Sequence, residues 1–113
     1  MPNVPINIKD IIDEFIENVN KILENRVKKI ILYGSYARGD YNNSSDIDIM
    51  ILTDLNDDEI VEYRDKISDI AYDIEEANNF DIWLSPLVKN IDKLKKLGFE
   101  ITLHDKMPDV VLY

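Results

Sequence analysis

Apolar residues recur at Ile8, Ile11, Ile12, Phe15, Ile16, Val19, Ile22 and Leu23, the alternating three-and-four spacing of a helix that buries one face. Asn7 is placed as its N-cap with Asp10 three residues on, while Lys9, Asp13, Glu14, Glu17 and Lys21 form a solvated face. Glu24-Asn25-Arg26 closes this helix of about five turns. Val27 to Tyr33 is then a short apolar run, read as a first strand, with Lys28 and Lys29 as edge or exit charges. The run stops at Gly34-Ser35, a turn signal, and Tyr36-Ala37-Arg38 reads as a short helix.

Asp40 to Ser45 is polar turn chemistry, and Asp46-Ile47-Asp48-Ile49-Met50-Ile51-Leu52 resumes with a period of two, a second strand. Ile47, Ile49 and Ile51 take one side of it; Asp46, Asp48, Met50 and Leu52 take the other. After a turn at Thr53 to Asn56, Asp57-Asp58-Glu59 loads the first turn of a second long helix with the charge its dipole favours. Its buried stripe is Ile60, Tyr63, Ile67, Ile70, Ala71 and Ile74, and Glu62, Asp65, Asp69, Asp73 and Glu76 make a solvated acidic face. Ala77-Asn78-Asn79 breaks the helix. Phe80 to Ser85 is expected as a third strand, with Asp81, Trp83 and Ser85 on one face and Pro86 ending it. Asn90 caps a short basic helix from Ile91 to Leu97, stopped by Gly98; Phe99 to Lys106 fits strand or helix equally, and the lone His104 within it has no partner that would make it a ligand.

Helices alternating with strands in this order imply an α/β (α+β) sandwich with a small mixed sheet flanked by helices. The first two strands are too close in sequence for a helical crossover, so they should pair antiparallel. With 113 residues, the expectation is a single domain over 1–113 with one core. The absence of cysteine excludes a disulfide framework and a thiolate zinc site. With no basic-then-apolar leader and no stretch long enough to span a bilayer, the expected setting is cytoplasmic. A formal charge of −10 makes nucleic acid an unlikely direct substrate, since its backbone is bound through lysine and arginine, whereas it favours a basic protein partner.

The chemistry concentrates between Tyr33 and Leu52. Gly34-Ser35, at the mouth of a helical turn, is a phosphate seat. Arg38 lies close enough in sequence to contact phosphates, or to brace the acidic loop through Asp40. Two strand residues at i and i+2 have Cα atoms roughly 6–7 Å apart, so Asp46 and Asp48 can serve one metal site, and Mg²⁺ suits paired carboxylates combined with substrate phosphates. An aspartate in an apolar strand is costly to bury unless paired, protonated or metal-bound, which supports Asp81 beside the first two; the alternative is an edge aspartate facing water.

Gly34-Ser35, ten intervening residues and then Asp46-x-Asp48, with Ala37-Arg38-Gly39 shortly after the serine, resembles the minimal nucleotidyltransferases of the DNA polymerase β superfamily. Asp81 and the closing Val110-Val111-Leu112-Tyr113 fit later, less specific positions of that pattern. The resemblance implies the nucleotidyltransferase fold, with Gly34, Ser35 and Arg38 on the triphosphate of ATP. It implies two Mg²⁺ ions held by Asp46, Asp48 and Asp81, these three being the catalytic residues, and Asp81 helping to deprotonate the acceptor hydroxyl. Small bacterial and archaeal members of the family are often antitoxins that transfer AMP to a tyrosine of a helical HEPN ribonuclease toxin, which makes a basic HEPN-type protein the implied partner. Two other readings stand beside this one: an antitoxin that acts by contact alone, and a small-molecule enzyme similar to those that modify aminoglycosides.

Overall fold

The computed structural model describes residues 6–42, 44–96 and 110–112. Its elements are α1 (Ile6–Leu23), a 3-10 turn (Glu24–Arg26), β1 (Val27–Tyr33), α2 (Ser35–Arg38), β2 (Ile47–Thr53), α3 (Asp57–Ala77), β3 (Leu84–Asn90), α4 (Ile91–Lys96) and β4 (Val110–Leu112). The strands form one sheet in the order β3-β2-β1-β4. β1 runs antiparallel to both β2 and β4, whereas β2 and β3 are parallel. The fold class is therefore the mixed α+β arrangement expected, and the hairpin-like β1–β2 pairing follows from their proximity in sequence.

One face of the sheet carries the core. Ile30, Leu32, Ile47, Ile49, Ile51, Leu84 and Val88 point into it and meet Ile12, Phe15, Val19 and Leu23 from α1 and Ile60, Ile67, Ala71 and Ile74 from α3. Both helices thus cover the same side, as their apolar stripes require. The opposite face is more open: Ile31, Tyr33, Asp48, Met50 and Ser85 are half-buried and Leu87 is exposed.

Helix α3 starts where its capping box dictates. The Asn56 side chain accepts from the Glu59 backbone N–H at 2.9 Å and the Glu59 carboxylate accepts from the Asn56 N–H at 3.1 Å. The same carboxylate takes both terminal nitrogens of Arg26, at 2.9 and 3.0 Å, while Arg26 Nε donates to Asp54. Arg26 thereby clamps the entrance of β1 to the exit of β2 and the start of α3.

Four sequence expectations shift. α1 begins at Ile6, so Asn7 lies inside its first turn rather than capping it. β2 begins at Ile47, which leaves Asp46 just ahead of the strand. Phe80 to Trp83 forms a turn, and β3 starts only at Leu84. Asn79 and Phe80 both take left-handed backbone angles, φ 57° and 56°, because the chain must reverse from the end of α3 into a strand parallel to β2. Finally, Pro86 sits inside β3 instead of ending it. Ile47 N–H donates to the Trp83 carbonyl, so in the alternating parallel ladder the nitrogens of Leu84, Pro86 and Val88 point to the outer edge, where a proline loses no ladder bond. Asn90 does cap α4, accepting from Lys93 N–H at 2.9 Å. The expectations for Leu97 to Lys106, including Gly98 and His104, lie outside the described residues.

Candidate active site

Strand β1 delivers Gly34 and β2 delivers Asp48 to the same end of the sheet, where Tyr33 and Asp48 are antiparallel partners. Gly34 has φ 75° and ψ −155°, a region that is essentially restricted to glycine. A Cβ there would stand 3.1 Å from Asp48 Cγ and closer still to Oδ2. The Asp48 carboxylate is thus packed against the bare Cα of the turn, with Ser35 opening α2 immediately beyond. The Gly34-Ser35 turn and the carboxylate expected to serve a metal are in direct contact.

The loop between them is held at both ends. Gly39 closes α2 at φ 88°, its N–H donating to the Ser35 carbonyl at 2.9 Å. Buried Tyr36 stacks on Tyr41 with ring centroids 4.6 Å apart and planes 8° from parallel. Further on, Asn42 Oδ1 accepts from both N–H and Oγ of Ser44, and Ser45 Oγ accepts from Asn42 N–H at 2.8 Å. These Asx-type bonds set the direction in which Asp46 enters β2. Asp46 is exposed and Asp48 half-buried. Burial raises the Tyr33 phenol above its ordinary pKa, and the negative charge of neighbouring Asp48 adds to that shift. Tyr33 therefore stands as a neutral hydroxyl beside the carboxylate.

The register between β2 and β3 pairs Asp48 with Ser85 and Ile47 with Leu84, so a serine stands next to Asp48 on the neighbouring strand. Asp81 is exposed in the turn before β3, its N–H donating to the Asn78 carbonyl at 3.1 Å. Among the described residues no three histidine, cysteine or acidic side chains gather in a metal-binding group. The structure thus brings Gly34 and Asp48 into contact, with Ser35 next in the chain and exposed Asp46 just ahead of β2, and it carries Asp81 on the turn before β3 rather than within a strand. The Arg38 side chain lies outside those described, although its backbone completes α2.

Two residues with no sequence signal support this end of the sheet. Glu75, turned inward from α3 and 9% exposed, accepts the N–H of Leu84 at 2.9 Å, and Tyr33 supplies the phenol beside Asp48. Neither differs in sequence from its solvated or core-packed neighbours. Surface depressions elsewhere include one of about 560 Å³ over the outer face of α1 and one of about 300 Å³ between the start of α3, the end of β3 and α4. Neither is lined by Gly34, Ser35, Asp46 or Asp48.

Paired carboxylates two residues apart, one of them seated against a glycine-serine turn, form a hard oxygen donor set next to a phosphate seat, which fits a divalent cation carrying a triphosphate. Among the described residues no helix is long and apolar enough to cross a membrane. The chain is 33% identical over 103 residues to a chain of Methanocaldococcus jannaschii named as a "putative protein adenylyltransferase", an alignment covering 85% of this chain and all of that one. Two further chains of that organism with the same designation are 44% identical over 62 residues and 40% identical over 72, covering 55% and 56% of this chain and 62% and 72% of theirs. In fold it is similar to the crystal structure of a "putative nucleotidyltransferase" from Sulfolobus solfataricus, with a TM-score of 0.56 and 21% identity over 92% of this chain and 77% of that one. The nucleotidyltransferase domain model matches residues 12–110, from α1 through Asp46, Asp48 and Asp81 into β4, and the chain belongs to the nucleotidyltransferase domain family.

Proposed function

We propose that this nucleotidyltransferase is a Mg²⁺-dependent protein adenylyltransferase, working in the cytoplasm as the antitoxin that modifies a tyrosine of a basic, helical HEPN-type partner. The observation that carries the reading is the contact of the Asp48 carboxylate with the Gly34 turn, since it joins the metal-ligand candidate to the phosphate seat. The names carried by the Methanocaldococcus relatives support protein as the acceptor class.

In this reading the Gly34-Ser35 backbone and the Ser35 hydroxyl receive the β- and γ-phosphates of ATP, with Arg38 as a further phosphate contact. Asp46 and Asp48 hold Mg²⁺. The bound ion would neutralise charge on the phosphates and the departing pyrophosphate. The acceptor oxygen attacks the α-phosphorus, the bond from that phosphorus to the oxygen bridging it to the β-phosphate breaks, and pyrophosphate leaves with the electron pair. The phenolic proton passes to a base, a role assigned to Asp81 on the exposed turn. A tyrosine with a pKa of about 10 is mostly protonated at neutral pH, and general-base help is worth roughly 10² to 10⁴ in rate.

The test is transfer of labelled AMP together with the thermal shift produced by MgATP. Asp48→Asn and Asp46→Asn should abolish both while leaving the ligand-free domain folded. Asp81→Asn should keep the thermal shift and lose most transfer. Full transfer by Asp48→Asn would overturn the assignment. The position of Asp81 on an exposed turn rather than within β3 favours a second reading, a binding antitoxin; it would prevail if Asp81→Asn and Asp48→Asn both neutralise the partner as well as wild type does.

A further inference from the structure

Three large aromatic side chains are exposed side by side at the rim of the candidate site. Tyr72 is 53% exposed, Phe80 40% and Trp83 47%. They form a continuous chain, with centroids 5.7 Å apart from Tyr72 to Phe80 and 6.2 Å from Phe80 to Trp83. Solvent-exposed aromatics contribute little to a core, and contiguous apolar patches mark interaction sites. Phe80 moreover sits on a left-handed backbone, φ 56°, a conformation that is unfavourable at a non-glycine residue.

Position connects this patch to the chemistry. The Trp83 carbonyl accepts from Ile47 N–H at 2.8 Å, so the backbone of Trp83 runs one strand spacing, about 4.8 Å, from the backbone that follows Asp46. Charge identifies the occupant. On α3, Asp65, Asp69 and Glu76 lie seven and three residues before and four residues after Tyr72, on its face of the helix, and all three are exposed. The stripe extends from the aromatic patch along the helix for several turns, a footprint larger than a nucleobase and matched to an elongated cationic chain. Strand addition is disfavoured as the docking mode: at the outer edge of β3 the N–H of Leu84 is taken by Glu75 and Pro86 has none.

We propose that Tyr72, Phe80 and Trp83, with the acidic stripe of α3, form the docking surface for a basic polypeptide segment that presents its hydroxyl to the Asp46–Asp48 end of the sheet. The proposal rests on the protein adenylyl transfer reading and specifies where that acceptor sits. An aromatic anchor in such a patch typically carries 1–2 kcal/mol or more of binding, about tenfold in affinity for each one lost.

Trp83 is the sole tryptophan, so its fluorescence reports docking directly. The probe is a lysine–tyrosine copolymer, with a glutamate–tyrosine copolymer as control, excited at the red edge where tyrosine does not absorb. The lysine copolymer should perturb the indole emission and the glutamate copolymer should not. A Tyr72→Ser, Phe80→Ser variant should bind it at least tenfold more weakly and show an equal rise in KM for the copolymer in AMP transfer, with KM for MgATP unchanged. Asp65→Lys with Asp69→Lys, which leaves all three aromatics in place, should weaken binding too. Unchanged copolymer affinity in both variants, or equal binding of the glutamate copolymer, would overturn the proposal. A raised KM for MgATP with copolymer binding intact would also overturn it and make the aromatics a nucleobase platform. Copolymer docking that depends on these residues without any AMP transfer would refute the transferase reading and leave the docking surface standing.

Discussion

Replacing Gly34 by alanine tests the contact on which the candidate site rests. Two penalties combine at that position. The backbone, at φ 75° and ψ −155°, lies where a residue with a Cβ is strained by roughly 1–3 kcal/mol. The new methyl would also stand 3.1 Å from Asp48 Cγ and closer to Oδ2, whereas carbon atoms pack at about 3.5–4.0 Å. Either the carboxylate or the turn must retreat by about half an ångström or more, and such overpacking typically costs a further 1–3 kcal/mol. Gly34→Ala should therefore destabilise the chain by roughly 2–6 kcal/mol, a large share of the ~5–15 kcal/mol that holds a domain folded. The two penalties are separable in urea unfolding. In an Asp48→Ala background the clash is gone and only the backbone strain remains, so the glycine substitution should then cost less, with a coupling of about 1–3 kcal/mol. If Gly34→Ala costs the same in both backgrounds, to within about 0.5 kcal/mol, the carboxylate is not seated on the turn and the geometric basis of the active-site assignment fails.

Three other outcomes follow from the supporting contacts. Glu75→Ala leaves the buried N–H of Leu84 without its acceptor and should cost about 1–3 kcal/mol in urea unfolding, whereas Glu75→Gln, which keeps an acceptor oxygen, should recover most of it; equal loss in the two variants would mean that bulk and not the bond matters. The Arg26 side chain lowers the pKa of Asp54 and, with the Asn56 backbone N–H as a second cause, that of Glu59. Both carboxyls bind protons less readily folded than unfolded, so their contribution is complete above the ordinary carboxylate pKa of about 4 and disappears as pH falls through the depressed folded values. Arg26→Met should flatten that acid-range decline in melting temperature, and an unchanged pH profile would show that the clamp adds nothing. Asn56→Ala removes the capping box of α3 and should cost about 0.5–2 kcal/mol, with a loss below that range in urea unfolding counting against the cap.

What the sequence exposes and what it conceals divide along physical lines. The period of two over Ile47 to Leu52 and the apolar run at Val27 to Tyr33 place β1 and β2 to within a residue, because a sheet buried on one face writes its alternation directly into the chain. The Gly34-Ser35 turn is legible for a related reason: only glycine fits against Asp48. The third strand is misplaced by four residues because Phe80-Asp81-Ile82-Trp83 has a strand's composition yet serves as a turn, and nothing local announces that Asn79 and Phe80 both adopt positive φ. Pro86 reads as a strand end only if β3 is taken as an inner strand; on the outer edge its missing N–H is harmless. Glu75 reads as one more acid on an acidic helix, and only the tertiary position of Leu84 N–H gives it a partner. The Arg26 clamp is similarly invisible, since its two acceptors lie 28 and 33 residues away.

The placement of the aromatic patch follows from the topology that builds the site. Because β1 and β2 are antiparallel, the turn leaving β1 and the residues entering β2 share one end of the sheet, which is why Gly34 and Asp48 meet. Because β2 and β3 are parallel, the chain must enter β3 at that same end, and it can return there only by way of a crossover, α3. The C-terminal end of α3, the left-handed turn and Trp83 are thereby delivered beside Asp46 whatever their sequence. A partner that engages this turn is already at the edge of the proposed metal and phosphate residues. The direction of the β2–β3 pairing, more than any single contact, couples the proposed docking to the proposed chemistry, and it places the left-handed backbone of Asn79 and Phe80 at this connection.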